Sequence, residues 1–150
     1  MSFANQEKKI LIVEDNPIDI VLLSDALSES SYNFNVKIFN DGDQAINFIK
    51  QSEELKIFTP EIIILDLRMP KKDGHEVLKE IRANELLKKT SVIIFSSSHS
   101  QEDVVKSFNE EANCYYCKTF LLDEFVKDIE KLLSGNGNDE FAIINFPSNE

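Results

Sequence analysis

The sequence predicts an α/β protein built on a doubly wound, five-stranded parallel sheet. Five short apolar runs alternate along the chain with segments whose apolar residues recur at helical spacing. Three of the runs are apolar at every position, as expected for strands that are covered on both faces. Strict alternation of strands and helices is typical of a parallel sheet with helices on both sides. A chain of 150 residues is long enough for one such domain.

The predicted strands are the five apolar runs, and the third follows Pro60. The runs are Ile10–Val13, Val36–Phe39, Ile62–Leu65, Val92–Phe95 and Cys114–Cys117. Pro17 suits the first turn of a helix, and Asp41 and Asp123 are placed to cap or to charge helix starts. These signals put one helix after each strand.

Each predicted helix has an apolar stripe, and the last stripe is the clearest. The stripes are Ile18, Val21, Leu22 and Ala26; Ala45, Phe48 and Ile49; Val77, Leu78 and Ile81; Val104, Val105 and Phe108; and Leu122, Phe125, Val126, Ile129, Leu132 and Leu133. The spacing therefore predicts five strand–helix units.

A second apolar patch follows the fifth unit. Residues 134–139 have the composition of a turn or a flexible link. Beyond them, Phe141, Ile143, Ile144 and Phe146 place more apolar surface together than a freely solvated terminus tolerates. We expect this patch to dock on the domain itself or on a second copy of the chain, and a homodimer is the leading interpretation. A disordered terminus is the alternative.

Composition and charge exclude several classes of function. The formal net charge is −11 and the pI is about 4.6, so the long-range field repels phosphate backbones and direct nucleic-acid binding is not expected. The longest apolar runs are far shorter than the roughly 20 residues of a membrane span. The segment Met1–Lys9 is polar and has no signal-peptide pattern, so we expect a cytoplasmic protein.

The two cysteines form a Cys-x-x-Cys pair, which elsewhere indicates redox chemistry or half of a zinc site. Cys114 and Cys117 lie three residues apart in a predicted strand, where they point to opposite faces. The sequence has no second cysteine pair to complete a metal site. We therefore interpret them as two packed thiols.

The polar residues that can bind a ligand or take part in a reaction follow the strands directly. Ligands of an open parallel sheet bind where strands end at their carboxyl edge. Glu14 and Asp15 follow the first strand, Asp66 the third, Ser96 the fourth and Lys118 the fifth. Taken singly, each has an alternative explanation: Asp15 or Asn16 as a helix cap, Asp66 as a ligand of backbone amides, Ser96 as a turn former and Lys118 as a solvated strand end. Their coincidence at one edge favours a shared site.

Three carboxylates at one edge repel each other. A pair 4 Å apart costs on the order of 4 kcal/mol at an effective dielectric constant near 20. A hard divalent cation removes that cost, and oxygen ligands with several waters suit Mg²⁺. A cation and the Lys118 ammonium beside a nucleophilic carboxylate are suited to phosphoryl transfer, whose transition state spreads negative charge over three oxygens. Aspartate itself can be the acceptor.

These motifs, in this order, resemble those of CheY-like response-regulator receiver domains. The similar stretches are Ile10–Pro17, Leu65–Pro70 with Lys72–Gly74, and Tyr115–Lys118. The resemblance covers roughly residues 8 to 133 and implies a flavodoxin-like sheet with strand order 2-1-3-4-5. We accordingly assign residues 1–133 to the receiver domain and 134–150 to a C-terminal extension.

The resemblance also implies the phospho-acceptor and the metal ligands. Asp66 accepts the phosphoryl group. Asp15 is a direct ligand of Mg²⁺, Glu14 is a ligand acting through water, and Arg68 supplies its main-chain carbonyl to the metal. No other cofactor is expected.

The same resemblance implies residues that respond to phosphorylation. Ser96 hydrogen-bonds the phosphoryl group after transfer, and Lys118 pairs with its oxygens. Tyr115 matches the aromatic residue whose side chain moves inward when Ser96 moves. Arg68 and Ser98 occupy the two positions that commonly tune how long the phosphoryl group survives.

By this resemblance the chain is a single-domain response regulator of a two-component phosphorelay. It is expected to take its phosphoryl group from a sensor histidine kinase, to catalyse only its own phosphorylation and dephosphorylation, and to signal through a downstream protein target. The segment Pro70–Gly74, the stretch Asn113–Tyr115 and the C-terminal extension are similar to small receiver-only regulators paired with phytochrome-type kinases.

One departure from the family and two alternative functions remain open. Family members usually have a cis proline after the conserved lysine, whereas this chain has Thr119. A non-proline cis bond costs roughly 2.5 to 4 kcal/mol, so we predict a trans Lys118–Thr119 bond. A degenerate receiver that acts only as a protein-interaction module is one alternative. The other is a phosphatase that forms an aspartyl-phosphate, but such enzymes typically place a second aspartate where this chain has Arg68.

Overall fold

The computed structural model describes residues 7–55, 59–69, 71–98, 100–118, 122–134 and 142–144. The strands are β1 (Glu7–Val13), β2 (Asn33–Phe39), β3 (Ile62–Leu65), β4 (Ser91–Ser96), β5 (Cys114–Cys117) and β6 (Ala142–Ile144). The helices are α1 (Pro17–Ser28), α2 (Gly42–Leu55), α3 (Gly74–Ala83), α4 (Gln101–Asn109) and α5 (Leu122–Leu133). None of these helices has the length and apolar composition that a membrane span requires.

The sheet has the order β2-β1-β3-β4-β5-β6, and all neighbouring strands are parallel. The first five strands confirm the predicted fold class and strand order. The sixth strand belongs to the C-terminal extension, where the sequence predicted only an apolar patch. It pairs with β5 in the register Cys114↔Ala142 to Tyr116↔Ile144. The edge of β5 offers unpaired backbone donors and acceptors, which an added strand satisfies.

Docking of the extension on the domain itself is therefore confirmed for residues 142–144. The side chains of the predicted patch and its flanking residues Phe141 and Phe146 lie outside the described part of the chain.

The core consists of two layers, one on each face of the sheet. Alternation along β1 places Leu11 and Val13 against α2, α3 and α4, and Ile10 and Ile12 against α1 and α5. Nearly continuous apolar strands are required because both faces are covered. The two cysteines obey the same alternation: both are free and buried, Cys114 in the second layer and Cys117 in the first. This confirms the interpretation as packed thiols.

The helix starts have side-chain caps that the sequence indicated only in part. The Asn16 side chain accepts hydrogen bonds from the amides of Ile18 (2.9 Å) and Asp19 (3.2 Å), with Pro17 in the first turn of α1. Asp41 accepts from the amide of Gln44 at 2.8 Å and caps α2, as predicted. Because Asn16 caps α1, the neighbouring Asp15 carboxylate is not used in this way.

Candidate functional site

The predicted functional residues do meet at the carboxyl edge of the sheet. The parallel ladder extends past the strand ends: the Asp66 amide donates to the carbonyl of Val13 at 2.9 Å, and the Lys118 amide donates to that of Ser96 at 2.8 Å. These bonds place the residue after β3 beside the end of β1, and the residue after β5 beside the end of β4. Sequence-local signals were therefore sufficient to find this edge.

Three carboxylates form one cluster there. Oxygen atoms of Glu14, Asp15 and Asp66 all lie within 4.8 Å of one another. Glu14 and Asp66 are buried, with 1% and 4% of their surface exposed, whereas Asp15 is exposed. In the part of the chain that the structure describes, no other group of three acidic, histidine or cysteine side chains has comparable geometry. The cluster is open to solvent on the side of Asp15.

The Lys118 ammonium places a positive charge beside these carboxylates. Its Nζ lies 2.9 Å from Glu14 Oε1, 2.8 Å from Asp19 Oδ2 and 3.3 Å from Asp66 Oδ2. Burial alone lowers the pKa of Lys118, but the hydrogen bond with Asp19 and the charges of Asp66 and Glu14 outweigh burial and raise the pKa. Lys118 is therefore charged at neutral pH.

Sequence reasoning missed Asp19. This residue lies in the first turn of α1, where an acidic side chain is adequately explained by the helix dipole. Its position four residues after Asp15 was the only available signal, and that signal did not identify Lys118 as a partner.

The surroundings of Glu14 disfavour the ionised form of its carboxyl group. Burial, and then the charge of Asp66, raise the pKa of Glu14 from 4.5 to about 8. Its Oε1 atom is within ion-pair distance of Lys118, yet it receives no hydrogen bond of good geometry. An under-satisfied carboxylate oxygen beside two other carboxylates fits a divalent cation, because such a cation prefers oxygen ligands and offsets their repulsion.

The loop after β3 holds the Asp66 backbone closely. A Cβ atom at Gly74 would lie 2.2 Å from the Asp66 carbonyl oxygen and 2.6 Å from Leu67 Cα. The start of α3 therefore packs directly against the backbone of the cluster, and only glycine fits. The Arg68 amide also donates a long hydrogen bond, 3.4 Å, to Asp66 Oδ1. One carboxylate oxygen of Asp66 thus faces its own loop, and the other faces Lys118.

Ser96 and Tyr115 lie in a connected arrangement. Ser96 is the last residue of β4 and is fully buried, and its Oγ accepts a hydrogen bond from the Ser98 amide at 3.1 Å. The Tyr115 hydroxyl donates to the Ser98 carbonyl at 3.1 Å, and the Tyr115 side chain is also buried. Burial raises the pKa of Tyr115. The inward position of the aromatic side chain is thus the one present in this structure.

The Arg68 side chain points away from the carboxylates. Its Nη2 lies 3.0 Å from Asp103 Oδ2 at the start of α4. Asp103 also contacts His75, and neither residue was indicated by the sequence, because both contacts join segments about 30 residues apart. An open cavity of about 460 Å³ is lined by Asp15, Arg68 and Asp103 among others, so the cluster is accessible from this side.

Two sequence predictions concern residues outside the described ranges. The Lys118–Thr119 bond was predicted to be trans, and Thr119 lies in the gap between 118 and 122. Pro70, in the loop that follows Asp66, also lies outside. Met69 is described and packs against the core layer on the α2–α4 side.

Comparison with known proteins agrees with this geometry. The family model for the response regulator receiver domain matches residues 10–130. Response regulator Rcp1 of Synechocystis sp. is 38% identical over 133 residues, which span 88% of each chain.

Two solved structures have the same fold at substantial identity. The crystal structure of the phosphorylated cyanobacterial phytochrome response regulator RcpA is 36% identical, with a TM-score of 0.78, and the match covers 89% of this chain and 98% of that one. The Mn²⁺-bound form of Rcp1 is 35% identical, with a TM-score of 0.75, over 94% of this chain and 99% of that one.

These likenesses confirm the resemblance that the motifs indicated, including the similarity to phytochrome-associated regulators. They extend over both core layers and the carboxyl edge of the sheet, not over one motif alone. The chain belongs to the response-regulator receiver domain family.

Proposed function

We propose that this protein is a single-domain response regulator that accepts a phosphoryl group on Asp66 from a sensor histidine kinase, with Mg²⁺, and signals through protein contacts. The observation that supports this proposal best is the setting of Asp66. One of its carboxylate oxygens lies 3.3 Å from the Lys118 ammonium, and two further carboxylates lie beside it in a cluster that fits a divalent cation.

The chemistry requires little beyond position and charge. An oxygen of Asp66 attacks the phosphorus atom, the bond from phosphorus to the donor nitrogen breaks, and an acyl phosphate forms. Lys118 offsets negative charge on the transferred oxygens, and the Ser96 hydroxyl is placed to hydrogen-bond them. Mg²⁺, held by Glu14, Asp15, Asp66 and the main-chain carbonyl of Arg68, would supply the remaining positive charge.

The test is phosphorylation by a small phosphodonor in the presence of Mg²⁺, followed by intact-mass measurement. We expect the wild-type protein to gain one phosphoryl group and Asp66→Asn to gain none. Asp25→Asn is the matched control, because Asp25 is an exposed aspartate on α1. Labelling of Asp66→Asn at the wild-type rate would place the acceptor elsewhere. A wild-type protein that neither binds Mg²⁺ nor takes the label would be an interaction module instead.

The exposed face of α1 supports docking of a kinase. Ile18, Val21 and Leu22 are 70%, 57% and 48% exposed, although they are large apolar residues at helical spacing. α1 begins two residues after Asp15, so this face borders the phosphorylation site. A donor histidine must reach bonding distance of Asp66, and the protein that presents it must therefore cover this rim. The likeness to a phytochrome response regulator favours a phytochrome-type kinase.

Kinase docking is tested by comparing two phosphodonors. We expect Val21→Glu to slow transfer from a phosphorylated phytochrome-type histidine kinase at least tenfold, and to leave labelling by a small phosphodonor unchanged. A charged side chain at the centre of an apolar interface costs well over the 1.4 kcal/mol that corresponds to tenfold. Val105→Glu is the matched control, since Val105 is 56% exposed on α4. Equal slowing by both substitutions would contradict docking on α1.

We further propose a cytoplasmic homodimer in which residues 134–150 act as an extension of the receiver domain 1–133. The support for the homodimer is β6, which lies at the end of the sheet order and leaves one strand edge without a neighbour in the described sheet. Truncation after Ser134, followed by light scattering and thermal melting, tests both statements. We expect the truncated protein to have the mass of a monomer and a lower melting temperature. If the truncated protein keeps the oligomeric state and the melting temperature of the full chain, the extension is not structural.

A further inference from the structure

Asp103 is the meeting point of three polar contacts from separate segments. Its Oδ2 lies 3.0 Å from Arg68 Nη2 and accepts a hydrogen bond of 2.6 Å from Ser98 Oγ. Its Oδ1 lies 3.3 Å from His75 Nε2. Burial by itself raises the pKa of Asp103, but the hydrogen bonds from Ser98, His75 and Arg68 outweigh burial and lower the pKa. The carboxylate is therefore charged and fully engaged at neutral pH.

His75 fixes this carboxylate in place. The imidazole is buried at the start of α3, and its Nδ1 lies 2.6 Å from Oε1 of Glu110, the C-cap residue of α4. Because Asp103 is in the first turn of α4, one histidine contacts that helix near both ends. Lys79 Nζ lies 3.7 Å from the other oxygen of Glu110. Polar side-chain contacts near both ends of α4 thus hold this helix to α3.

Ser98 connects Asp103 to the loop between β4 and α4. The Ser98 amide donates to Ser96 Oγ at 3.1 Å, and the Ser98 carbonyl accepts from the Tyr115 hydroxyl at 3.1 Å. The Ser98 hydroxyl is used by Asp103. All three polar groups of Ser98 are therefore engaged, and Ser98 links Asp103 to both Ser96 and Tyr115.

We propose that Asp103 is a positioning residue for the phosphorylation site: it holds the loop between β4 and α4, and with it the Ser96 hydroxyl and the buried Tyr115 side chain, in one arrangement. The contact with Arg68 joins the same carboxylate to the loop that follows Asp66. The effect on phosphorylation rests on the proposed function, whereas the effect on Tyr115 does not.

The contacts of Asp103 differ in how much each contributes to stability. The Arg68 side chain is largely exposed, and an exposed ion pair contributes little to stability. The Ser98 and His75 contacts are partly buried, and each hydrogen bond to a charged group stabilises by more than a neutral one. We therefore expect Ser98 to transmit most of the effect.

The first measurement follows Tyr115 by fluorine NMR of protein labelled with 3-fluorotyrosine, with the resonance assigned by Tyr115→Phe. We expect Asp103→Ala to increase the access of a soluble paramagnetic agent to Tyr115 about tenfold, as loss of a single charge-assisted hydrogen bond predicts. Glu102→Ala is the matched control, because Glu102 is an exposed acidic residue in the same helical turn. Unchanged access in a folded Asp103→Ala protein overturns the proposal.

A double-mutant cycle separates positioning from general destabilisation. If Asp103 acts through Ser98, the pair Ser98→Ala and Asp103→Ala has no larger effect on Tyr115 than the larger single substitution. Fully additive effects contradict the proposal. Asp103→Asn keeps the size of the side chain and one acceptor oxygen, so we expect an intermediate effect. It also replaces Asp103→Ala in every comparison if that variant does not fold.

The second measurement is the rate of Asp66 labelling by a small phosphodonor in the same variants. We expect Asp103→Ala to be labelled about tenfold more slowly than the wild type, and Glu102→Ala to be labelled at the wild-type rate. Equal rates for Asp103→Ala and the wild type overturn the part of the proposal that concerns phosphorylation. If the wild-type protein takes no label, the proposed function fails, while the Tyr115 measurement still decides whether Asp103 positions the loop.

Discussion

The two ends of the parallel sheet differ in how their charged side chains are compensated. At the carboxyl end, three carboxylates converge and one ammonium, that of Lys118, offsets them in part. At the amino end, the guanidinium of Arg82 is surrounded by neutral oxygen atoms before β4 and β5. Its six hydrogen bonds, of 2.8 to 3.3 Å, go to the carbonyls of Leu87, Lys88, Thr90 and Glu111 and to the Asn113 side chain.

The amino end of the sheet therefore has a structural role, whereas the carboxyl end has the features of a reactive site. Arg82 uses its rigid fork of donors completely, and Asn113 continues the network by accepting from the Val92 amide at 2.7 Å. The carboxyl end instead leaves Glu14 Oε1 without a well-directed donor and raises the pKa of that residue. Saturated polar groups contribute to stability, whereas under-satisfied ones are available to bind a cation or a substrate.

The largest effect is expected at the amino end. Arg82→Met should lower the free energy of unfolding by about 3 kcal/mol, because it leaves several part-buried carbonyl oxygens without donors. Urea unfolding measures the change. Lys89→Met is the control, since Lys89 is an exposed cation at the same surface, and its effect should stay within about 0.5 kcal/mol. Equal effects of the two substitutions would show that loss of a positive charge, not loss of the hydrogen bonds from the Arg82 guanidinium, explains the result.

A smaller effect of opposite sign is expected at the carboxyl end. In buffer without divalent cations, Asp15→Asn should raise the free energy of unfolding by on the order of 0.5 kcal/mol, because it removes the negative charge of Asp15 beside Asp66 from an exposed, screened position. Urea unfolding at low and high salt measures the change, which should shrink as salt rises. With Mg²⁺ present the sign should reverse, since Asp15 is a proposed ligand. A destabilised variant in metal-free buffer would contradict the comparison.

The last effect concerns the thiol at the amino end of β5 and is seen only in alkali. Burial, and then the charge of Asp128, raise the pKa of Cys114 from 9.0 to about 11. The unfolded chain therefore ionises first, so this stabilisation is complete below about pH 9 and is lost as the pH rises towards 11. The stability difference between wild type and Cys114→Ala, measured by urea unfolding, should decline over that interval. A constant difference would show that the thiol does not titrate.

Sequence patterns were sufficient wherever one strand and its next residue determined the outcome. A strand covered on both faces must be apolar, and a parallel sheet brings the residues that follow such strands to one edge. Glu14, Asp66 and Lys118 were found in this way, and their proximity is confirmed by the ion pairs of Lys118. The fold class followed from the same alternation, whereas the strand order was implied by the family resemblance.

Patterns failed where a contact joined distant segments through side chains of ordinary appearance. Asp103 lies in the first turn of a helix, where an acidic residue is common, and His75 contacts it across 28 positions. Asp19 was missed for the same reason. The apolar residues of the extension predicted that it is covered, but not that residues 142–144 add a strand to β5, because that choice depends on an edge formed by other strands.

The sequence by itself therefore determined the alternation of strands and helices, the two core layers and the carboxylates at the sheet edge. These features depend on periods of two and 3.6 residues and on residues that follow directly in the chain. The tertiary structure alone decided which cation pairs with which carboxylate, how α4 is held to α3 and where the extension docks. Such choices depend on distances between segments that become neighbours only when the sheet has formed, and no local pattern encodes them.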